Sequence, residues 1–172
     1  RDNHINYCFS LNPQIATSRP FDPNKPQDFA DLWRHYSWAQ SQGVKWFSLS
    51  LDDISGVKID GAAHAAMANK LLAKLREKDP NAQLILCPTY YAGDGTSPAQ
   101  RAYLEPLAAA LDPDIYLFWT GPSVVPAKIS LQDAQTFVNF VKHKVILWDN
   151  YPVNDGHLAL HLGPLTVRDP QL

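Results

Sequence analysis

Two adjacent carboxylates, in Leu51-Asp52-Asp53-Ile54, are the residues of this chain best placed to do chemistry. They close a run, Val44-Lys45-Trp46-Phe47-Ser48-Leu49-Ser50-Leu51, that reads as a buried β-strand. Charge at the carboxyl end of a strand is where α/β folds bind ligands and build catalytic sites. Neighbouring side chains on an extended backbone point to opposite sides, so the two acids are expected to meet a substrate differently. Repulsion between close like charges raises one pKa, which suits a general acid at neutral pH. The structural alternative is that Asp52 or Asp53 merely caps a following helix.

Such a pair needs a scaffold, and the chain alternates strand and helix around it. His4 to Leu11 is strand-like, and a Pro-rich loop runs on to Pro26. Asp28 to Gln42 reads as an amphipathic helix with Phe29, Leu32, Trp33, Tyr36 and Ala39 on one side, stopped by Gly43. After the Asp-Asp strand, Ala62 to Lys78 is a second helix, ended by Asp79-Pro80. Gln83 to Cys87 is an apolar strand, and Pro98 to Leu111 a third helix, interrupted or bent near Pro106. Ile115 to Trp119 is a strand. Ser130 opens a fourth helix, with Asp133 completing a variant of the capping box. Lys144 to Trp148 and a short Leu158 to Leu162 are the last strands.

Alternation of this kind predicts a parallel sheet with right-handed crossovers. Polar residues fall just after each strand: Asp52-Asp53, then Pro88-Thr89-Tyr90-Tyr91, then Thr120-Gly121, then Asp149-Asn150-Tyr151 with Asn154-Asp155. Successive strands feeding one rim is how a (β/α)₈ TIM barrel builds its site. A doubly wound sheet would carry Gly-x-Gly-x-x-Gly in its first βα turn, and neither that run nor a P-loop is present.

Composition narrows the function classes. A chain of 172 residues fits one domain. A formal net charge of −2 argues against nucleic-acid or anionic-membrane partners, which select a basic face. No apolar run approaches the roughly 20 residues of a transmembrane helix. The chain starts at Arg1 rather than Met, so a mature, trimmed or excised segment is expected, and its compartment is not readable. Two cysteines make no disulfide framework. Cys8 and Cys87 both lie in apolar strand-like runs and are expected as buried free thiols. His157 and His161 have an i,i+4 spacing near Asp155, but no third ligand has suitable spacing, so no metal is expected. The other histidines read as surface or loop residues.

With these motifs in view, the chain resembles glycoside hydrolase family 84, the O-GlcNAcases. The resemblance rests on five runs in order: Leu51-Asp52-Asp53-Ile54; Cys87-Pro88-Thr89-Tyr90-Tyr91; Trp119-Thr120-Gly121-Pro122 with Val124-Val125; Trp148-Asp149-Asn150-Tyr151-Pro152-Val153-Asn154-Asp155; and Leu162-Gly163-Pro164-Leu165. It implies a (β/α)₈ catalytic barrel and a retaining β-N-acetylglucosaminidase. The nucleophile would be the substrate's own 2-acetamido oxygen, acting through an oxazoline intermediate, an exception to the usual two-carboxylate scheme.

By motif position, the resemblance implies that Asp52 binds the acetamido N–H and stabilises the positive charge developing there. Asp53 would protonate the leaving oxygen and then deprotonate water. Tyr91 would hydrogen-bond the acetamido group, and Asn150 would steady the sugar near the general acid. Asp155 would accept from sugar hydroxyls. Trp148, Thr120 and Cys87 would shape a pocket for the acetyl methyl. Tyr90 stands where many members carry Glu, a rim difference with little expected effect. No cofactor is implied, and the partner is a protein or glycan bearing N-acetylglucosamine.

Plainer readings stand beside these. Trp119 and Trp148 could both be barrel core, the preferred reading for Trp119, Cys87 could be plain packing, Tyr91 could be a satisfied interface tyrosine, and Asn150 and Asp155 could serve the turn around Pro152. The chain also departs from the family. Its six predicted strands are two short of a closed barrel. Residues 1–172 are therefore expected to form a partial catalytic barrel of about six βα units, lacking the family's first two units and the end of the barrel. Its first and last strands should show an open gap, or contact a second chain or another copy. Three functional classes follow: a glycosidase, a non-catalytic N-acetylglucosamine-binding fragment, or a β/α domain whose acids are caps. Whether the segment turns over by itself is separate from its family resemblance.

Overall fold

In a computed structural model of the chain, residues 5–15, 21–22, 24–54, 59–153 and 167–172 are described. The elements run β1 (Cys8–Leu11), α1 (Pro26–Ser41), β2 (Trp46–Ser50), α2 (Gly61–Arg76), β3 (Gln83–Cys87), α3 (Pro98–Ala110), β4 (Tyr116–Trp119), α4 (Leu131–Val141) and β5 (Val145–Leu147). The strand expected at Leu158 to Leu162 and the Leu162-Gly163-Pro164-Leu165 run lie outside the described residues.

Local chemistry explains most boundaries. Pro26 opens α1, where its missing N–H costs nothing. The buried Asp28 carboxylate accepts the Asp22 N–H at 2.8 Å, tying the preceding loop to the first turn. Phe29, Leu32, Tyr36 and Ala39 form the buried stripe, while Trp33 is only partly covered. The chain leaves α1 through Gly43 at φ +87°, a left-handed position that glycine adopts without strain. Asp60 caps α2 by accepting the Ala63 N–H. Reciprocal capping boxes open α3 (Ser97 with Gln100) and α4 (Ser130 with Asp133). Helix α3 runs through Pro106 without interruption. One i→i−4 bond is lost there, and burial of Tyr103, Leu104 and Leu107 holds the helix together around it.

All four strand pairings are parallel, and the sheet order is β1-β2-β3-β4-β5. Sequential order distinguishes this sheet from a doubly wound one, where the order reverses at a switch point. Right-handed crossovers of uniform direction place successive helices on one face. There Phe47, Leu49, Leu84, Leu86, Leu117 and Trp119 pack with helical residues such as Tyr36, Leu72, Leu104 and Phe137. The Tyr36 hydroxyl donates to the Ser48 carbonyl at 2.6 Å, fixing α1 on β2. The opposite face carries Ser10, Ser48, Ser50 and Cys87, with the rings of Trp46 and Tyr116 meeting at 5.8 Å across β3.

Cys8 departs from expectation. It is exposed, because β1 is an edge strand among the described residues and Cys8 lies on the face away from the helices; Phe9 and Leu11 take the packed positions. Cys87, in central β3, is buried as expected. Among the described residues β1 pairs only with β2 and β5 only with β4, so they form an open sheet.

Helices α2 and α3 approach closely at Gly61, where a Cβ would collide with the Tyr103 carbonyl oxygen. Gly61→Ala is therefore expected to destabilise the fold by roughly 1–3 kcal/mol, the usual effect of overpacking, read as a lower urea midpoint.

Candidate active site

The carboxyl ends of the strands converge on one cleft of about 450 Å³, a size typical of small-molecule sites. Asp52, Asp53, Tyr91, Thr120, Val124, Val125, Trp148, Asn150 and Val153 line it.

The acid pair is held from three directions. The Leu51 N–H donates to the Cys87 carbonyl at 2.9 Å, carrying the β2–β3 ladder one residue past β2. The Thr89 hydroxyl donates to the Leu51 carbonyl at 2.9 Å. From the end of β1, Asn12 Nδ2 donates to the Asp52 carbonyl at 2.8 Å and reaches its Oδ1 at 3.4 Å. Neither acid caps α2, since Asp60 does. The backbone is also not extended through the pair. Asp53 has φ +52°, a left-handed conformation that Asp tolerates better than most residues. The turn replaces strand alternation and brings both carboxylates to the same cleft.

Their surroundings differ. Burial is the main cause of an upward shift in the Asp52 pKa; the Asp53 charge adds to it, while backbone, Cys87 and Asn12 hydrogen bonds oppose it. Repulsion between the acids is thus a lesser cause than the sequence suggested, and the raised carboxyl is Asp52. Cys87 does not line the cleft. It is buried, its thiol reaches the Pro88 carbonyl at 4.0 Å, and burial first, then the charges of the two acids, push its thiol pKa up. Asp53 is exposed and accepts the Tyr91 hydroxyl at 3.1 Å. Burial, followed by this bond, pushes the Tyr91 pKa up to about 12.

The β3 and β4 ends are laced together. Thr120 N–H donates to the Tyr91 carbonyl and Gly93 N–H to the Gly121 carbonyl, both at 2.9 Å. The Trp119 indole donates to the Gly93 carbonyl at 2.8 Å and its ring stacks on Phe137. Only 1% exposed, Trp119 is core, as expected. The Thr120 hydroxyl donates to the Ser123 carbonyl at 3.0 Å, shaping the turn that presents Val124 and Val125. Gly121, at φ +112° and with Pro126 pressed against it, is the residue that permits the turn. Trp148, 39% exposed, leans on Phe118 and walls the cleft. Asn150 Nδ2 donates to the Val124 carbonyl at 2.8 Å.

Thus Asp52, Asp53, Tyr91, Thr120, Trp148 and Asn150 meet at one cleft, which Cys87 does not line. Asp155, His157 and His161 lie outside the described residues. Tyr90 is more than a rim residue: it packs on the core, edge-on to Tyr103. His64 is not a surface or loop histidine. Buried on α2, with Nδ1 2.9 Å from the Tyr103 hydroxyl, its pKa is lowered to about 4 by burial, so its ring is neutral near pH 7. That hydroxyl accepts the Thr89 N–H at 3.2 Å, so α2 and α3 together steady the residue that holds Leu51. His143 is also partly buried, against the Ala108 carbonyl.

Sequence reasoning passed over Asn12, although the strand-end rule that found the other residues applies to it. Val124 and Val125 were visible only as part of a motif. Nothing local marks Arg168, which pairs with Asp149 through Nε at 2.8 Å.

The profile of the family described as NAGidase, beta-N-acetylglucosaminidase, matches residues 1–172. The chain is 27% identical over 184 residues to the Protein O-GlcNAcase of Rattus norvegicus and, equally, to that of Mus musculus. Each alignment covers 100% of this chain and 19% of the relative, so the chain spans about a fifth of their length. A solved structure of a mutant Thermobaculum terrenum O-GlcNAc hydrolase superposes with a TM-score of 0.84 at 28% identity. That match covers 97% of this chain and 37% of the solved one.

Proposed function

The chain belongs to the β-N-acetylglucosaminidase family, and from that premise we propose that its protein is a retaining β-N-acetylglucosaminidase, removing terminal β-linked N-acetylglucosamine from protein or glycan by substrate assistance. The observation that carries the reading is the acid pair at the end of β2. One carboxylate is half-buried, the other is exposed, and both face a cleft walled by tryptophan and valine.

The roles are those that motif position implies. The acetamido oxygen attacks C1 while the glycosidic oxygen leaves with the Asp53 proton. The bond to the aglycone breaks as the oxazoline ring closes. Asp52 accepts the acetamido N–H. Its partial desolvation strengthens its attraction for positive charge, and that charge grows on the acetamido group only as the transition state is approached. Water then attacks C1, Asp53 takes its proton, and the ring opens with retention. The Tyr91 hydroxyl, held by Asp53 in this structure, turns to the acetamido group when substrate arrives. Thr120, Val124, Val125 and Trp148 receive the acetyl methyl, with Cys87 supporting Asp52. Asn150 steadies the sugar, and Asp155 accepts from its hydroxyls.

The five-stranded arc then forms part of a (β/α)₈ barrel. The edges of β1 and β5 pair with further strands of the full-length protein, with a second chain or with another copy, since unpaired edges invite association.

The test uses the full-length protein. A chromogenic β-N-acetylglucosaminide should be cleaved, the matching β-glucoside negligibly, since it lacks the nucleophile, and a chelator should change nothing. Rapid cleavage of the glucoside, or inhibition by chelator, would remove substrate assistance from consideration. Binding of N-acetylglucosamine without turnover would point instead to a sugar-binding module.

A further inference from the structure

Arg168 gathers three stretches of chain at the base of one cleft wall. Its Nε and Nη2 grip the Asp149 carboxylate in a fork, at 2.8 and 2.9 Å. Nη2 also donates to the Pro126 carbonyl and Nη1 to the Ala127 carbonyl, both at 3.1 Å. Its backbone is pinned as well. The Ile129 N–H donates to the Val167 carbonyl and the Asp169 N–H to the Ile129 carbonyl, both at 3.1 Å. The guanidinium lies 5.8 Å from the Tyr151 ring, and the side chain is only 12% exposed.

These contacts sit directly behind cleft-lining residues. Pro126 and Ala127 follow Val124 and Val125; Asp149 stands between Trp148 and Asn150. In front, the two loops are joined by the Asn150 bond to the Val124 carbonyl. Behind, the guanidinium is their ionic link. A planar fork that satisfies one carboxylate and two carbonyls fixes direction as well as distance, which a lysine ammonium does not.

We propose that Arg168 is a positioning residue that sets the spacing between the Val124–Val125 turn and the Trp148–Asn150 segment, and through it the fit of the substrate's 2-acyl group. The proposal rests on the glycosidase reading above. Asp52 and Asp53 are held by other elements, so loosening the clamp should affect substrate fit more than bond cleavage.

The experiment compares wild type, Arg168→Ala, Arg168→Lys and Asp149→Asn in the full-length protein. Chromogenic substrates carry an N-acetyl or a bulkier N-propionyl group. Arg168→Ala is expected to raise KM for the N-acetyl substrate about tenfold, with kcat changed much less, as misplaced binding groups do. Its preference for acetyl over propionyl should shrink. Added guanidinium should lower the KM of Arg168→Ala but not of wild type. Arg168→Lys should remain impaired, and Asp149→Asn should shift KM in the same direction. Hydrogen exchange of the 124–127 and 148–151 amides reads the clamp without substrate. It should quicken in Arg168→Ala and slow again with guanidinium. Unchanged exchange, or a loss confined to kcat, would overturn the role of Arg168. Wild type inactive on both substrates would overturn the glycosidase reading, while the exchange measurement would still decide the clamp.

Discussion

Asp53→Asn is expected to slow hydrolysis of substrates with poor leaving groups by roughly 10²–10⁴-fold, the usual contribution of a general acid. Substrates whose aglycone leaves readily without a proton should be slowed far less in their first step. The difference arises because an aryloxide with a low-pKa conjugate acid departs unaided, whereas an alkoxide or a serine oxygen does not. Asp53 is open to an aglycone: it lines the cleft, it is exposed, and it accepts the Tyr91 hydroxyl. Rates measured over a series of aryl N-acetylglucosaminides decide the matter. Equal loss across the series would show that the two acids have been assigned the wrong way round.

Asp52→Asn should slow good and poor leaving groups alike, by about 10²–10³-fold, as expected on removing one preorganised electrostatic partner of the transition state. The same change should stabilise the fold at neutral pH. Burial raises the Asp52 pKa above its ordinary value. Between the unfolded and folded pKa values the native state therefore binds more protons than the unfolded chain, and stability falls as pH rises through that interval. Above it, the ionised Asp52 is a standing penalty that Asn does not carry. Asp52→Asn should thus raise Tm at pH 7, and the gain should fade as the pH falls towards the ordinary carboxylate range. Lower activity with higher Tm is the signature of a residue kept for function at the expense of the fold. A variant that lost both would mark Asp52 as a structural anchor through its Asn12 and Cys87 contacts.

Much of the architecture could be read from local pattern. The order of strands and helices, the Ser130–Asp133 capping box and the placement of polar residues after each strand depend on periodicity and end chemistry a few residues long. The strand-end rule alone directs attention to Asp52, Asp53, Tyr91, Thr120 and Asn150, because parallel strands with right-handed crossovers deliver all their carboxyl ends to one rim; Trp148 entered through the family resemblance. Family resemblance added roles to those positions.

Tertiary structure decided the rest, where partners are far apart in sequence. Asp53 turns left-handed where the sequence read as extended, since Asn12, Thr89 and Cys87 hold the backbone before it. The Tyr91–Asp53 bond spans 38 residues and the Arg168–Pro126 bond 42, and no local spacing foretells either. His64 looks like any helical histidine until α3 packs over it, and Cys8 looks like any core thiol until β1 stands at the edge of the sheet among the described residues. Propensity and pattern are set by short-range sterics and solvation. Register, burial and charge pairing are set by which distant surfaces the chain must close together.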